Sequence, residues 1–272
     1  MARRPADTNV MQMQWPKPGP VTIALLVLLG GMSVLQAALV NLLRETRAFE
    51  FLVGDASAIR HGQVWRLITS SLLTSPQGIG HILFSLLLFY FFMPDLEKRW
   101  KSSRLVLFLL YASVFGHAFT VFIDWIAFDH PLLHTKVFYG PGTIDSAVSV
   151  AWSLTNPGAQ IRLLFFIPVR GAWLKWITLG FALIGGILYA SSIPEGAFSL
   201  VGGWGVGMLL GGTPSVLRAF YLRLKRNRLE RSIAKSGGSK SSPPLKLVYG
   251  GLADELGLDK DKKKPGSDRT IH

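Results

Sequence analysis

The chain has 272 residues, 49% hydrophobic and only 17% charged, with a formal net charge of +13. Apolar runs of about 20 residues recur along it, enough for several bilayer crossings, which excludes an ordinary soluble domain. With no cysteine, disulfides, thiolate metal sites and cysteine nucleophiles are excluded too.

Residues 1–20 are polar and proline-containing and are expected to form a cytoplasmic amino-terminal segment. No small-residue cleavage pattern follows the first apolar run, so that run is expected to stay as a membrane helix. Six spans are predicted: Val21 to Leu43, Ile79 to Met93, Leu105 to Phe128, Gly142 to Thr155, Ala172 to Ser191 and Gly196 to Gly212. Residues 21–213 are thus expected to form the membrane domain of an all-α protein. The fourth span is short: a helix of about 14 residues rises only about 21 Å, against a hydrocarbon core of roughly 30 Å. It must begin or end inside the membrane, where irregular backbone is tolerated only if protein or water surrounds it. Gly140-Pro141-Gly142-Thr143-Ile144-Asp145-Ser146 reads as a loop dipping to the start of this central helix.

Over residues 214–235, Leu217, Phe220, Tyr221 and Leu224 recur at helical spacing among basic residues, which predicts an interfacial amphipathic helix or a plain topology determinant. Residues 236–272 are rich in Gly, Ser, Pro and Lys and are expected to be a disordered cytoplasmic tail. No internal repeat is evident.

Basic residues set the orientation. Arg3, Arg4 and Lys17 precede the first span, and Lys98, Arg99, Lys101 and Arg104 lie between the second and third. Arg162 and Arg170 follow the fourth, and Arg218 to Arg231 follow the sixth. All fall on one side of a six-span arrangement, which places both termini in the cytoplasm. On the opposite side charges nearly cancel, and Glu195 stands alone before the sixth span. The positive excess therefore lies beside anionic lipid headgroups, each basic residue contributing about 1 kcal/mol of attraction. No nucleic-acid partner is expected. The short basic amino end favours a bacterial inner membrane.

Several local patterns occur in a fixed order. Gly62-Gln63-Val64-Trp65-Arg66-Leu67-Ile68-Thr69-Ser70 precedes the second span, His81-Ile82-Leu83-Phe84-Ser85 opens it, and Pro94-Asp95-Leu96-Glu97 closes it. Asn156-Pro157 and Phe166-Ile167-Pro168-Val169-Arg170 link the fourth and fifth spans, and glycines repeat along the sixth. In this order the chain resembles the rhomboid family of intramembrane serine proteases over about Ala56 to Gly212.

The resemblance implies a six-helix bundle, a serine in a Gly-x-Ser-Gly motif opening the fourth helix, and a partner histidine in the sixth. It also implies a histidine and an asparagine, four residues apart in the second helix, that help to hold the oxyanion. Counting back from Asn156-Pro157 places the serine position on Gly142, and anchoring on Gly202-Gly203 places the histidine position on Leu200. The second helix keeps His81 but has Ser85 where the asparagine belongs. Acyl transfer needs an oxygen nucleophile and a base within hydrogen-bond reach, and glycine and leucine supply neither. The safest rescue is a shift of alignment to a dyad of Ser146, one turn beyond Gly142, with His81, giving an atypical serine endopeptidase.

Other readings of these residues are structural. His81 and Ser85, at i and i+4, share a helix face. They either satisfy each other and nearby backbone or keep a polar binding site. Asp145 is hydrated at the cavity, paired with Lys136 or His134, or catalytic. His117 reads as a packing histidine in an apolar span. Trp65 and Arg66 position the first loop, with the arginine on backbone carbonyls or headgroups. Gly203, Gly207 and Gly211 clear one stripe of the sixth helix for close approach to the fourth. No phosphate loop, dinucleotide fingerprint or metal-ligand cluster is present, and His130 and His134 are separated by Pro131, so no cofactor or metal is expected. The expected function is that of a rhomboid pseudoprotease, with transmembrane segments of client membrane proteins and membrane lipids as partners.

Overall fold

A computed structural model describes residues 16–75, 79–126, 137–163, 167–188, 194–196, 198–212 and 216–235. The chain divides into two units, Met1–Leu222 and Arg223–His272.

The first unit opens with helix α1 (Pro20–Ala37), which continues as a π-helical turn, Ala38–Leu42. Proline starts this helix well because its fixed φ suits a first turn that needs no N–H partner. The next segment holds α2 (Arg47–Leu52), β1 (Gly54–Asp55), α3 (Ala56–Arg60), α4 (Arg66–Thr69) and a 3₁₀ turn, Ser70–Leu72. Asp55 caps α3, its carboxylate accepting from the Ala58 N–H at 2.8 Å. Then come α5 (Ile79–Trp100), α6 (Ser102–Ile126), β2 (Val137–Phe138), α7 (Gly142–Thr155), β3 (Gln160–Leu163), β4 (Ile167–Arg170), α8 (Gly171–Leu188) and α9 (Ser199–Leu210). Helix α10 (Val216–Lys235) runs across the boundary at Leu222.

Among the described residues, four helical stretches are long and apolar enough to cross a membrane: Pro20–Leu42, Ile79–Trp100, Ser102–Ile126 and Gly171–Leu188. The molecule is an all-α membrane protein whose loops carry two short antiparallel ribbons, β1 with β2 and β3 with β4. The fourth and sixth expected spans correspond to α7 and α9, of 14 and 12 residues, both too short to count as crossings on length alone.

The second expected span closed at Met93; the helix instead continues through Pro94 to Trp100. Proline inside a membrane helix is tolerated where neighbouring structure compensates for the lost backbone bond, and here the far side of Pro94 is heavily engaged. Glu97 accepts hydrogen bonds from Val21 N–H (2.9 Å), Thr22 N–H (3.1 Å), Thr22 Oγ1 (2.7 Å) and Ser102 Oγ (3.2 Å). A carboxylate from α5 thus satisfies the unpaired amide donors at the start of α1, where the helix dipole also favours negative charge. Asp95 accepts from the Trp152 indole N–H at 3.1 Å. The acidic end of α5 therefore fastens both α1 and α7.

Helix α7 is the centre of the bundle, buried continuously from Gly142 to Ser153. It packs most extensively on α9, and also on α5, α6 and α8. Small residues explain the closeness. A Cβ on Gly203 would run into the Thr143 carbonyl oxygen, one on Gly207 would lie 2.7 Å from Val150 Cβ, and one on Gly211 2.7 Å from Ala151 Cα. Gly202 faces the other way: its Cβ would stand 2.9 Å from the Gly116 carbonyl of α6. Adjacent glycines thus admit α9 between two neighbours to near-backbone contact, as membrane helices do with small residues. Helix α10 exposes Phe220 and Tyr221 before the boundary at Leu222, and Leu224 and Leu229 among basic residues beyond it. There Glu230 accepts from Arg226 at 2.6 Å, and this hydrogen bond raises the arginine pKa.

Candidate functional site

The approach to α7 is a stitched loop. Gly140 has φ +130°, a conformation that only glycine adopts without strain, and its N–H donates to the Ser70 carbonyl at 2.9 Å. Tyr139 N–H donates to the Pro194 carbonyl at 2.7 Å. Three distant segments therefore meet at the helix start: the turn before α5, the strand β2, and residues 194–196 ahead of α9.

Glu195 is buried at this meeting point, 5% exposed. Its Oε1 lies 2.5 Å from His81 Nε2 of α5, and the same oxygen stands 2.6 Å from where a Cβ on Gly142 would be. Gly140 is covered by the same side chain, its Cβ position lying 2.9 Å from Glu195 Oε1. Lack of a side chain at 142 is thus matched by a carboxylate filling the space that a side chain would claim. In the sequence Glu195 has no evident partner. The structure corrects this by pairing it with a residue 114 positions away, a separation that no local pattern signals.

One turn further along both helices a second polar rung forms. Ser85 Oγ donates to Asp145 Oδ2 at 2.5 Å, so His81 and Ser85 do not satisfy each other but reach separate acceptors. Asp145 is 7% exposed, and its Oδ1 has no hydrogen-bond partner among the described residues. Of its expected partners, Lys136 and His134 lie outside the described residues. So does the His130 and His134 pair. Among the described residues no group of three or more His, Asp or Glu side chains is arranged to hold a metal ion.

Ser146 and His81, the candidate alternative dyad, are engaged elsewhere. Ser146 Oγ donates to the Leu200 carbonyl at 2.8 Å, pinning α7 to the first turn of α9, while His81 Nε2 is held by Glu195. The backbone oxygen of residue 200 accepts a hydrogen bond but takes up no proton, so the contact is structural.

A hydroxyl does meet an imidazole elsewhere. His117 Nδ1 lies 3.2 Å from Ser70 Oγ, 3.3 Å from Ser71 Oγ and 3.2 Å from the Leu67 carbonyl, and the ring stacks on Phe138 at 5.0 Å. A carbonyl can only accept, so the tautomer that uses it carries the proton on Nδ1 and has no free lone pair there to accept a proton from serine. His117 and Ser70 have no exposed surface and Ser71 only 1%. The cluster packs α6 against the preceding turn, with Ser71 and Ser113 hydroxyls 2.7 Å apart.

The Trp65-Arg66 pair positions the first loop. Arg66, 8% exposed, donates to the Glu50 and Val53 carbonyls at 2.6 and 2.5 Å and to Gln63 Oε1 at 2.7 Å. Trp65 stacks on Phe51 with centroids 5.4 Å apart. Sequence patterns thus singled out His81, Ser85, Gly142, Asp145 and Leu200 as candidate site positions but missed Glu195, whose only signal was an acid in a short loop before a glycine-rich helix.

The profile of the Der1-like family matches residues 29–202, more than half of the chain and including every residue of this cluster. That family lies within the rhomboid-like superfamily to which the ordered motifs pointed. The chain is therefore a multi-pass integral membrane protein that belongs to the Der1-like family.

Proposed function

We propose that this protein is a non-hydrolytic rhomboid-like membrane protein that binds transmembrane segments of client proteins without cutting them. The observation that carries the reading is the Glu195 carboxylate, 2.6 Å from the Cβ position of Gly142 and bonded to His81. A nucleophile at 142 would need that volume, and glycine supplies no oxygen to use it. At Leu200 only the backbone is polar, and it is spent on Ser146. The alternative of hydrolysis by Ser146 with His81 draws no support from these hydrogen bonds.

Client binding fits the periphery of the site. Helices α5 and α8 both lie on α7, yet they are not among the helix pairs that pack extensively on each other. Leu83, Phe84 and Leu87 on α5, with Trp176, Phe181 and Ile184 on α8, are exposed on their outer faces. A client helix entering between them would meet α7 directly. Helices of 14 and 12 residues at the centre favour local thinning of the bilayer, which lowers the cost of admitting a segment with polar residues.

The six-helix membrane domain of residues 21–213, cytoplasmic termini, a bacterial inner membrane, and anionic headgroups on the basic helix of residues 214–235 belong to the same proposal. Photocrosslinkers placed on the outer faces of α5 or α8 test it. Capture of client transmembrane segments is expected; capture of lipid alone would contradict it.

A further inference from the structure

We propose that the cluster of Asp145, Glu195, His81 and Ser85 is a receptor for a cationic side chain, a lysine or arginine carried within a client's membrane segment. The inference rests on the client-binding reading above and names the chemistry that the site selects.

The four residues form two hydrogen-bonded pairs on adjacent turns, His81 with Glu195 and Ser85 with Asp145. Gly142 and Asp145 are three apart on α7, and His81 and Ser85 are four apart on α5, so each pair shares a face. Asp145 is within electrostatic reach of both His81 and Glu195.

Acceptors outnumber donors in this cluster. Two carboxylates face one imidazole and one hydroxyl, and Asp145 Oδ1 and His81 Nδ1 are each buried with no partner among the described residues. A buried carboxylate oxygen left unpaired is costly, and ionisable groups at membrane depth are normally paired with one another or with backbone. An ammonium or guanidinium supplies donors for the unpaired carboxylate oxygen. A metal ion does not fit, since no three of these donors converge.

His81 is the cover. Its side chain is 23% exposed, against 7% for that of Glu195, so it is the member that an entering group meets first. A lysine or arginine would take its place on Glu195 and supply a donor to Asp145 Oδ1. The same cation, presented in lipid, is expensive to leave unpaired, so the pairing discriminates between otherwise similar apolar helices.

The test uses the full chain in phosphatidylcholine nanodiscs, which offer no lipid primary amine, with a photocrosslinker on α5. Two single-pass probe helices are compared, differing only in a central Lys or Leu. The expected result is capture of the Lys probe about tenfold above the Leu probe. Asp145→Asn and Glu195→Gln should reduce that preference, and His81→Ala should preserve or increase it. Retention of the wild-type thermal transition shows that each variant is folded. Equal capture of both probes by the wild type would overturn this inference and leave client binding standing. Capture of neither would overturn both.

Discussion

Glu195 stands where a side chain on Gly142 would have to be: its Oε1 is 2.6 Å from that Cβ position. The two positions are therefore coupled. Gly142→Ala should destabilise the protein by about 1–3 kcal/mol, since the added methyl displaces the carboxylate and breaks its bond to His81. In a Glu195→Ala background the same change should become neutral, or stabilising by up to about 0.5–1 kcal/mol, because the three atoms nearest to that Cβ position all belong to the Glu195 side chain. Thermal unfolding of the four proteins in detergent gives the coupling, and additive effects would refute it.

Close packing of α7 on α9 predicts a sharp contrast along one helix. Gly203→Val places a side chain against the Thr143 backbone, whereas a Cβ on Gly205 meets nothing within 4 Å. The first should cost at least about 2–4 kcal/mol or prevent folding. Gly205→Ala should be neutral or slightly stabilising. Equal melting temperatures for the two variants would refute the glycine-mediated contact.

Arg66 should not be replaceable by lysine. Its guanidinium reaches two backbone carbonyls and Gln63 at once, and a lysine ammonium lacks that fixed fork. Arg66→Lys should lower stability by about 1.5–3 kcal/mol, with faster backbone hydrogen exchange confined to residues 47–69 as the diagnostic readout.

Glu97→Ala should free the start of α1. Loss of an N-cap acceptor typically costs about 0.5–2 kcal/mol, and the buried Thr22 hydroxyl loses its partner as well. Hydrogen exchange should rise at Val21 and Thr22. Glu97→Gln, which keeps one acceptor oxygen, should fall between the two.

Much of the scaffold was legible because membrane depth writes itself into composition. The fourth span was expected over Gly142 to Thr155, and α7 has those bounds; its shortness identified it as central. Glycines spaced by four along α9 foretold its contact with α7. The continuation of α5 past Pro94 was not legible, because the capping partner of Glu97 lies some 75 residues away in α1. Nor was Glu195 legible as part of the site: only the folded chain brings residues 194–196 over Gly140 and Gly142. Ser85 and His81 carried the right face of α5 but not their partners, since helical spacing fixes direction and leaves the acceptor undetermined.

Hydrolysis is the most direct measure of the central claim. The purified full-length chain, reconstituted with a single-pass substrate that rhomboid proteases cut, should leave that substrate intact by mass spectrometry after prolonged incubation. Ser146→Ala and His81→Ala should behave like the wild type. Cleavage products from the wild type that disappear in either variant would contradict the account.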